Sequence, residues 1–255
     1  MPLQCYKSIS YRPLTPLTRQ LQTELTKTNQ HYLGKGVKIA IAECIFEQDS
    51  VYKACELAKV MITKLQNHYH DTTVSYQKTY TVEHIKQFIK ENIDVDILYI
   101  SAHGHYDKTS NMAGIMVGDE FWMASDDIRV PSIVILSACH TSPRGIGAVN
   151  VADMFIRNGA IAVLSTFIPV DALRNTTLMT RLFTYICEGQ NKSKQYRTLS
   201  DAWSGVVASN AIHELMHSSE SFKIWMHGKN SKGKVRVVEF QLERCVGRLR
   251  NTHIY

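Results

Sequence analysis

Two short stretches carry the residue types that acyl chemistry needs. Leu98-Tyr99-Ile100-Ser101-Ala102 runs into His103-Gly104-His105, and Val134-Ile135-Leu136-Ser137-Ala138 runs into Cys139-His140-Thr141. A thiol attacks an acyl carbon as thiolate, so it needs a nearby base, and imidazole can take that proton and later return it. His103 and Cys139 are the candidate base and nucleophile. Gly104 supplies a third part. Without a side chain, its backbone N–H can approach a tetrahedral oxyanion, where the N–H of Cys139 would join it. On spacing alone, the same stretches also fit a packed small-residue strand end and a His-Gly turn.

The pair can work only if both stretches end neighbouring parallel strands, because in such sheets the loops and helix N-termini gather beyond the carboxyl ends. The surrounding pattern predicts that setting. Val37 to Ala42 alternates as a strand does, and Val51, Ala54, Leu57, Ala58, Met61, Ile62 and Leu65 follow at helical spacing. Val74 to Tyr80 reads as a second strand, and Val82, Ile85, Phe88 and Ile89 mark one face of a short helix ending near Asn92.

Three continuous apolar runs, Ile97–Ile100, Ile133–Leu136 and Ile161–Leu164, suit central parallel strands buried on both faces. Between the last two, Val151, Met154 and Phe155 form a helical pattern stopped by Asn158-Gly159. Beyond Asn175 come a helix to about Cys187, a polar linker from Glu188 to Thr198, a helix capped by Ser200 to about His217, and a strand at Val235 to Phe240. The expected fold is α/β, a mostly parallel sheet sandwiched by helices in a single domain. Residues 1–35, polar and Thr-rich, read as an arm or docking segment, 36–245 as the domain, and 246–255 as a tail.

Composition narrows the function classes. The chain has 255 residues, 44% of them apolar, which suffices for a core. Its six cysteines, at 5, 44, 55, 139, 187 and 245, show no metal-type or disulfide-type spacing and read as free thiols of a reducing cytoplasm. No apolar h-region opens the chain, and no run approaches the roughly 20 residues of a membrane helix, so no membrane partner is expected. The net charge of +6 is spread out, with a local excess from Lys223 to Arg250 that reads as a solvated face rather than a nucleic-acid site.

Taken in order, Ile100-Ser101-Ala102-His103-Gly104, Val134-Ile135-Leu136-Ser137-Ala138-Cys139 and Asn158-Gly159-Ala160-Ile161-Ala162-Val163 resemble the CHAT family, relatives of caspases and separase. The likeness is close from about residue 95 to 187. It implies that His103 is the base and Cys139 the nucleophile of a cysteine endopeptidase, with Gly104 and Cys139 forming the oxyanion hole and no cofactor or metal required. The Gln-Ala-Cys signature of true caspases is absent, which favours CHAT.

The resemblance also implies where the substrate lies. In this clan the S1 pocket lies between the nucleophile loop and the strand ending near Ser165-Thr166-Phe167. Relatives that cut after Arg use an acidic residue near a Trp-Pro-Val-Asp type segment. Here that segment reads Ile168-Pro169-Val170-Asp171, making Asp171 the local candidate for a basic P1 side chain. Ile168 and Ala172 depart from the family pattern and point to a more apolar pocket.

By the same resemblance, such peptidases act on a specific protein partner, here a substrate encoded nearby, and are switched on by a sensor or partner protein. Some bacterial members cut pore-forming or signalling proteins in antiviral defence. The polar stretches Tyr106 to Ser125 and Glu188 to Thr198 are expected to be mobile or cleavable. The alternative is a catalytically silent scaffold that binds a partner through residues 1–35 or the basic C-terminus. A further alternative is a zinc peptidase, since His213-Glu214-Leu215-Met216-His217 matches HExxH. Both histidines fall away from the apolar stripe of Trp203, Val207, Ala211 and Leu215, and Glu220 and Lys223 occupy the positions of the longer metzincin pattern. His103, His105, Cys139 and His140 offer zinc-type ligands, but the family places no metal there.

Overall fold

The computed structural model describes residues 36–124, 128–141, 149–166, 169–191 and 198–218. They divide into two compact units, one containing everything described up to residue 191 and the other the helix after residue 198. The expected arm at 1–35, the strand at 235–240 and the tail lie outside the described residues.

The first unit opens with alternating strands and helices: β1 (Lys38–Glu43), α1 (Tyr52–His68), β2 (Thr73–Lys78), α2 (Val82–Glu91) and β3 (Ile97–Ser101). Three strands then follow without a helix, β4 (His103–Asp107), β5 (Met112–Val117) and β6 (Glu120–Trp122). The alternation resumes with β7 (Ile133–Ser137), the short β8 (Val149–Asn150), α3 (Val151–Arg157), β9 (Ala162–Leu164) and α4 (Ala172–Asn191).

Five strands form one parallel sheet in the order β2-β1-β3-β7-β9. Every residue of β3 is buried, as its continuous apolar run requires of a central strand. One face, through Ala40, Ala42, Leu98, Ile100, Val134 and Leu136, packs on Ile85, Phe88 and Ile89 of α2 and on Phe155 of α3. On the other face the rings of Tyr99 and Phe183 of α4 meet edge-on at 5.8 Å, and α4 packs on α1. The α/β class and the parallel sheet are as the sequence predicts. The third apolar run is not central, however. β9 ends the sheet and its residues are only half-buried, because only β7 pairs with it among the described residues.

The polar stretch from Tyr106 is also not a mobile loop as far as Ala124. It folds into a second sheet, β4-β5-β6 antiparallel, with β8 alongside β5. Ala113, Ile115, Val117 and Trp122 are buried, and the Trp122 and Phe155 rings meet edge-on at 5.6 Å. The turn from β5 to β6 needs Gly118, whose φ is +58°. A Cβ there would come within 2.4 Å of the Tyr80 carbonyl oxygen.

Local capping agrees with the sequence. The Thr81 hydroxyl accepts the His84 N–H at the start of α2, and the Asn150 side chain accepts the Asp153 N–H at 2.9 Å at the start of α3. Past α3, Gly159 adopts φ +112°, the stop expected from Asn158-Gly159. α4 begins earlier and runs further than the sequence suggests, so it takes in Glu188 to Asn191 of the expected linker.

In the second unit α5 (Leu199–Ser218) begins with a reciprocal cap. Thr198 Oγ1 accepts the Asp201 N–H, and the Asp201 carboxylate accepts the Thr198 N–H, both at 3.1 Å. Thr198, not Ser200, is therefore the cap, because it has the acidic residue three positions on. The backbone of residues 213–217 is helical, and their side chains lie outside the description. Among the described residues, no helix is long and apolar enough to cross a membrane.

Candidate active site

β3 and β7 are parallel neighbours in register, Ser101 opposite Ser137. His103 and Cys139 each stand two residues beyond that last pair, at the same end of the sheet. The Ala102 N–H still donates to the Ser137 carbonyl at 3.3 Å, so the pairing persists one step past the strands. Beyond it, the chain that becomes β4 presses on the nucleophile turn. A Cβ on Gly104 would come within 1.3 Å of the Cys139 carbonyl oxygen and 3.0 Å of its nitrogen. Only glycine permits that contact, and it joins the backbones of the two expected oxyanion donors.

Both side chains lean to one side of the sheet. His103 Nε2 meets Asp49 Oδ2 at 2.9 Å, and Asp49 lies just before α1. Cys139 Sγ accepts the Val170 N–H at 3.4 Å, and Val170 lies just before α4. Since α1 packs on α4, base and thiol point toward the N-terminal ends of the same helix pair. Asp49 was not foreseen from the sequence. Its other oxygen accepts the Val51 N–H at 2.9 Å. That bond first, and then the one with His103, hold its carboxyl below the usual carboxylate range.

The nucleophile turn is stapled in place. Thr166 Oγ1 donates to the Ala138 carbonyl at 2.5 Å, and the Thr166 N–H donates to the hydroxyl of the buried Thr141 at 3.1 Å. His140 takes the left-handed conformation, φ +49°, that such a sharp turn imposes. Beneath the turn, Asn175 Nδ2 donates to Ser137 Oγ at 2.7 Å. Burial pushes the thiols of Cys44, Cys55 and Cys187 up to about 12, 11 and 11. These three therefore stay protonated at neutral pH. Cys139 is only half-buried, at a strand end rather than in the core.

The residues expected to line the substrate pocket divide. Ser165 is half-buried, and Thr166 gives its hydroxyl to the nucleophile turn. Phe167 and Ile168 lie outside the described residues. Asp171 is exposed, and its Oδ1 caps α4 by accepting the Arg174 N–H at 2.8 Å. His105 faces solvent, its ring edge-on to Phe121 at 5.5 Å. Among the described residues, no three His, Cys, Asp or Glu side chains come together as metal ligands would, so His103, His105, Cys139 and His140 do not form a zinc cluster.

One more acidic residue escaped the sequence reading. Glu43 ends β1, opposite Ser101 of β3, and is 1% exposed. Burial, opposed by the Ile45 N–H at 3.1 Å, pushes its carboxyl up to about 7. The signal for both Glu43 and Asp49 was topological. In a parallel sheet the loop leaving the neighbouring strand reaches the same end, and β1 neighbours β3.

Residues 35–225 match the CHAT domain, which is most of the chain. No curated protein matches it.

Proposed function

The chain belongs to the CHAT domain family, a caspase-like family, and on that premise we propose that it is a cysteine endopeptidase whose base is His103 and whose nucleophile is Cys139. The observation that carries this reading is the Gly104 contact, which ties the ends of β3 and β7 together with both side chains leaning toward α1 and α4.

With Nε2–H donated to Asp49, Nδ1 of His103 is left to take the thiol proton. The thiolate sulfur then bonds to the substrate carbonyl carbon, and the oxygen that gains the charge faces the N–H groups of Gly104 and Cys139. As the C–N bond breaks, His103 returns its proton to the departing amine, leaving a thioester on Cys139. Water enters, gives a proton to His103 and displaces the acyl group, restoring the thiol. The balance closes with peptide and water alone, so the cycle asks for no cofactor. The substrate is a specific protein partner.

The test compares wild type with Cys139→Ala on candidate partner proteins, together with labelling by a peptidyl acyloxymethyl ketone read by intact mass. Cleavage and a single adduct on Cys139 are expected for wild type, and neither for the variant. Cleavage that survives Cys139→Ala would sink the thiol mechanism, and loss of cleavage with a chelator would point to the HExxH stretch instead.

A further inference from the structure

The sheet that continues from the base has a face that the mechanism does not use. β4, β5 and β6 pair so that His103 stands opposite Met116 and Met116 opposite Phe121, and side chains at paired positions share one face. His103 thus ends a short row that crosses three strands. The next row, Gly104, Ile115 and Trp122, turns the other way, and its Ile115 and Trp122 are buried in the core. The row of His103 therefore faces away from the core.

That outer face is apolar and held in place. Phe121 is 40% exposed, and among the described residues Leu173 is the other large apolar residue left exposed. The Phe121 ring lies against Gly114, where a Cβ would come within 2.6 Å of it, and the His105 ring meets it edge-on at 5.5 Å. Gly114, opposite His105 in register, is buried. A lone exposed apolar residue needs no explanation, but these two flank the reacting pair. Leu173 stands three residues past Val170, whose N–H meets Cys139 Sγ, and Phe121 stands two strands across from His103.

The chemistry fixes which part of the substrate meets this face. Cys139 stands at the end of β7, on one side of β3. Met116 belongs to the other side, because two residues further on the Gly118 N–H donates to the Cys44 carbonyl at 3.1 Å, at the end of β1. The acyl group bonded to sulfur stays with β7, whereas His103 hands its proton to the departing amine, so the leaving segment runs from His103 toward β5. Adjacent strands lie about 4.8 Å apart, which puts Met116 and then Phe121 within reach of the first side chain past the cut. We propose that Met116 and Phe121 receive an apolar side chain, Leu, Met or Phe, at that position, P1′, and so select the substrate on its leaving side. This rests on the peptidase reading of His103 and Cys139.

The charges nearby do not compete for this position. Glu120 precedes Phe121 on the opposite face of β6, and its carboxylate accepts the Val82 N–H at 2.6 Å at the start of α2. Asp107, further along β4, accepts the Ser110 hydroxyl at 2.6 Å and the Thr109 N–H at 2.9 Å. A charged P1′ side chain would give up water over Met116 and Phe121 for no matching charge, while an apolar one would gain by covering them.

Cleavage-site profiling of the full chain tests this, on a synthetic peptide library with every residue type at every position, read by mass spectrometry. Wild type should cut before Leu, Met or Phe at least about fivefold more often than before Gly, Ser or Asp. Phe121→Ser should bring that ratio to about one while keeping the preference on the acyl side of the bond, Met116→Thr should lower it in part, and Leu173→Ser should leave it intact. For two peptides that differ only in Leu against Gly at P1′, Phe121→Ser should lower kcat/KM for the Leu peptide alone. Should Phe121→Ser fail to fold, shown by its melting curve, Met116→Thr and the matched peptides carry the test. A wild-type profile with no apolar enrichment at P1′, a preference indifferent to both positions, or labelling of Cys139 by the ketone without any cut in the library overturns the P1′ assignment alone. Neither a cut nor an adduct on Cys139 overturns the peptidase reading beneath it.

Discussion

On the β7 flank of the site, the turn holding Cys139 is fixed by contacts that solvent does not weaken: the Gly104 backbone against it, Thr166 hydrogen-bonded on two sides, and Asn175 from α4 below. On the β1 flank, His103 is 49% exposed and meets one carboxylate, while the second carboxylate, Glu43, lies buried a few residues away. The nucleophile is placed by hard geometry and the base by a screened charge. Sterics in a packed junction act over tenths of an ångström, whereas an exposed ion pair contributes about 1 kcal/mol or less. The same substitution size should therefore cost far more on one flank than on the other.

The sharpest way to break that contrast is Gly104→Ala. Its methyl cannot coexist with a carbonyl oxygen 1.3 Å away, so the two backbones must part. The oxyanion donors part with them, and the labelling rate of Cys139 should fall by about 10² to 10³ in a protein that still melts cooperatively. Wild-type labelling in this variant would show that the junction yields and that the flanks are equally soft.

Next comes the difference between the two carboxylates of the β1 flank, which should appear in stability. Glu43 keeps its proton in the folded protein up to about 7, whereas the unfolded chain releases it near 4.5. Between these values the folded state binds more protons. Stability therefore falls as pH rises from 4.5 to 7 and levels off above, by about 3 kcal/mol if the whole shift is realised. Denaturant melts across that range should show the decline in wild type and a flatter profile in Glu43→Gln. Asp49, half-buried and shifted the opposite way, is ionised over that range in both the folded and the unfolded chain and should contribute little there. Equal slopes in the two proteins would remove the distinction between buried and half-buried carboxylate.

The two flanks also differed in how far the sequence could reach them. Ile97–Ile100 and Ile133–Leu136 are continuous apolar runs. Such runs have few alternatives to a buried parallel strand, so the ends that carry His103 and Cys139 could be located. The second sheet could not, since His103-Gly104-His105-Tyr106-Asp107 has no apolar alternation and β6 spans only three residues. The legible trace was Gly118-Asp119 between two apolar stretches, a two-residue hairpin signal. Glu43 and Asp49 escaped for another reason. An acidic residue at a strand end reads as solvated until the neighbouring strand and helix are in place to cover it. Asp49, in turn, is 54 positions from its histidine, a distance that only the strand order β1-β3 closes.

The smallest expected effect tests the softness of the base directly. Asp49→Asn leaves one oxygen, which can accept the Nε2–H of His103 or the Val51 N–H but not both, so it removes the charge and one of the two hydrogen bonds. Because its carboxyl is held below the usual range, Asp49 is ionised throughout the neutral region, and the loss should be uniform from pH 6 to 8. With His103 half in solvent, kcat should fall by about tenfold or less at unchanged KM, and added salt should narrow the gap to wild type as it screens the missing charge. A hundredfold loss that salt does not touch would mean that His103 is held as firmly as Cys139, and that the carboxylate positions the ring through a contact water does not share.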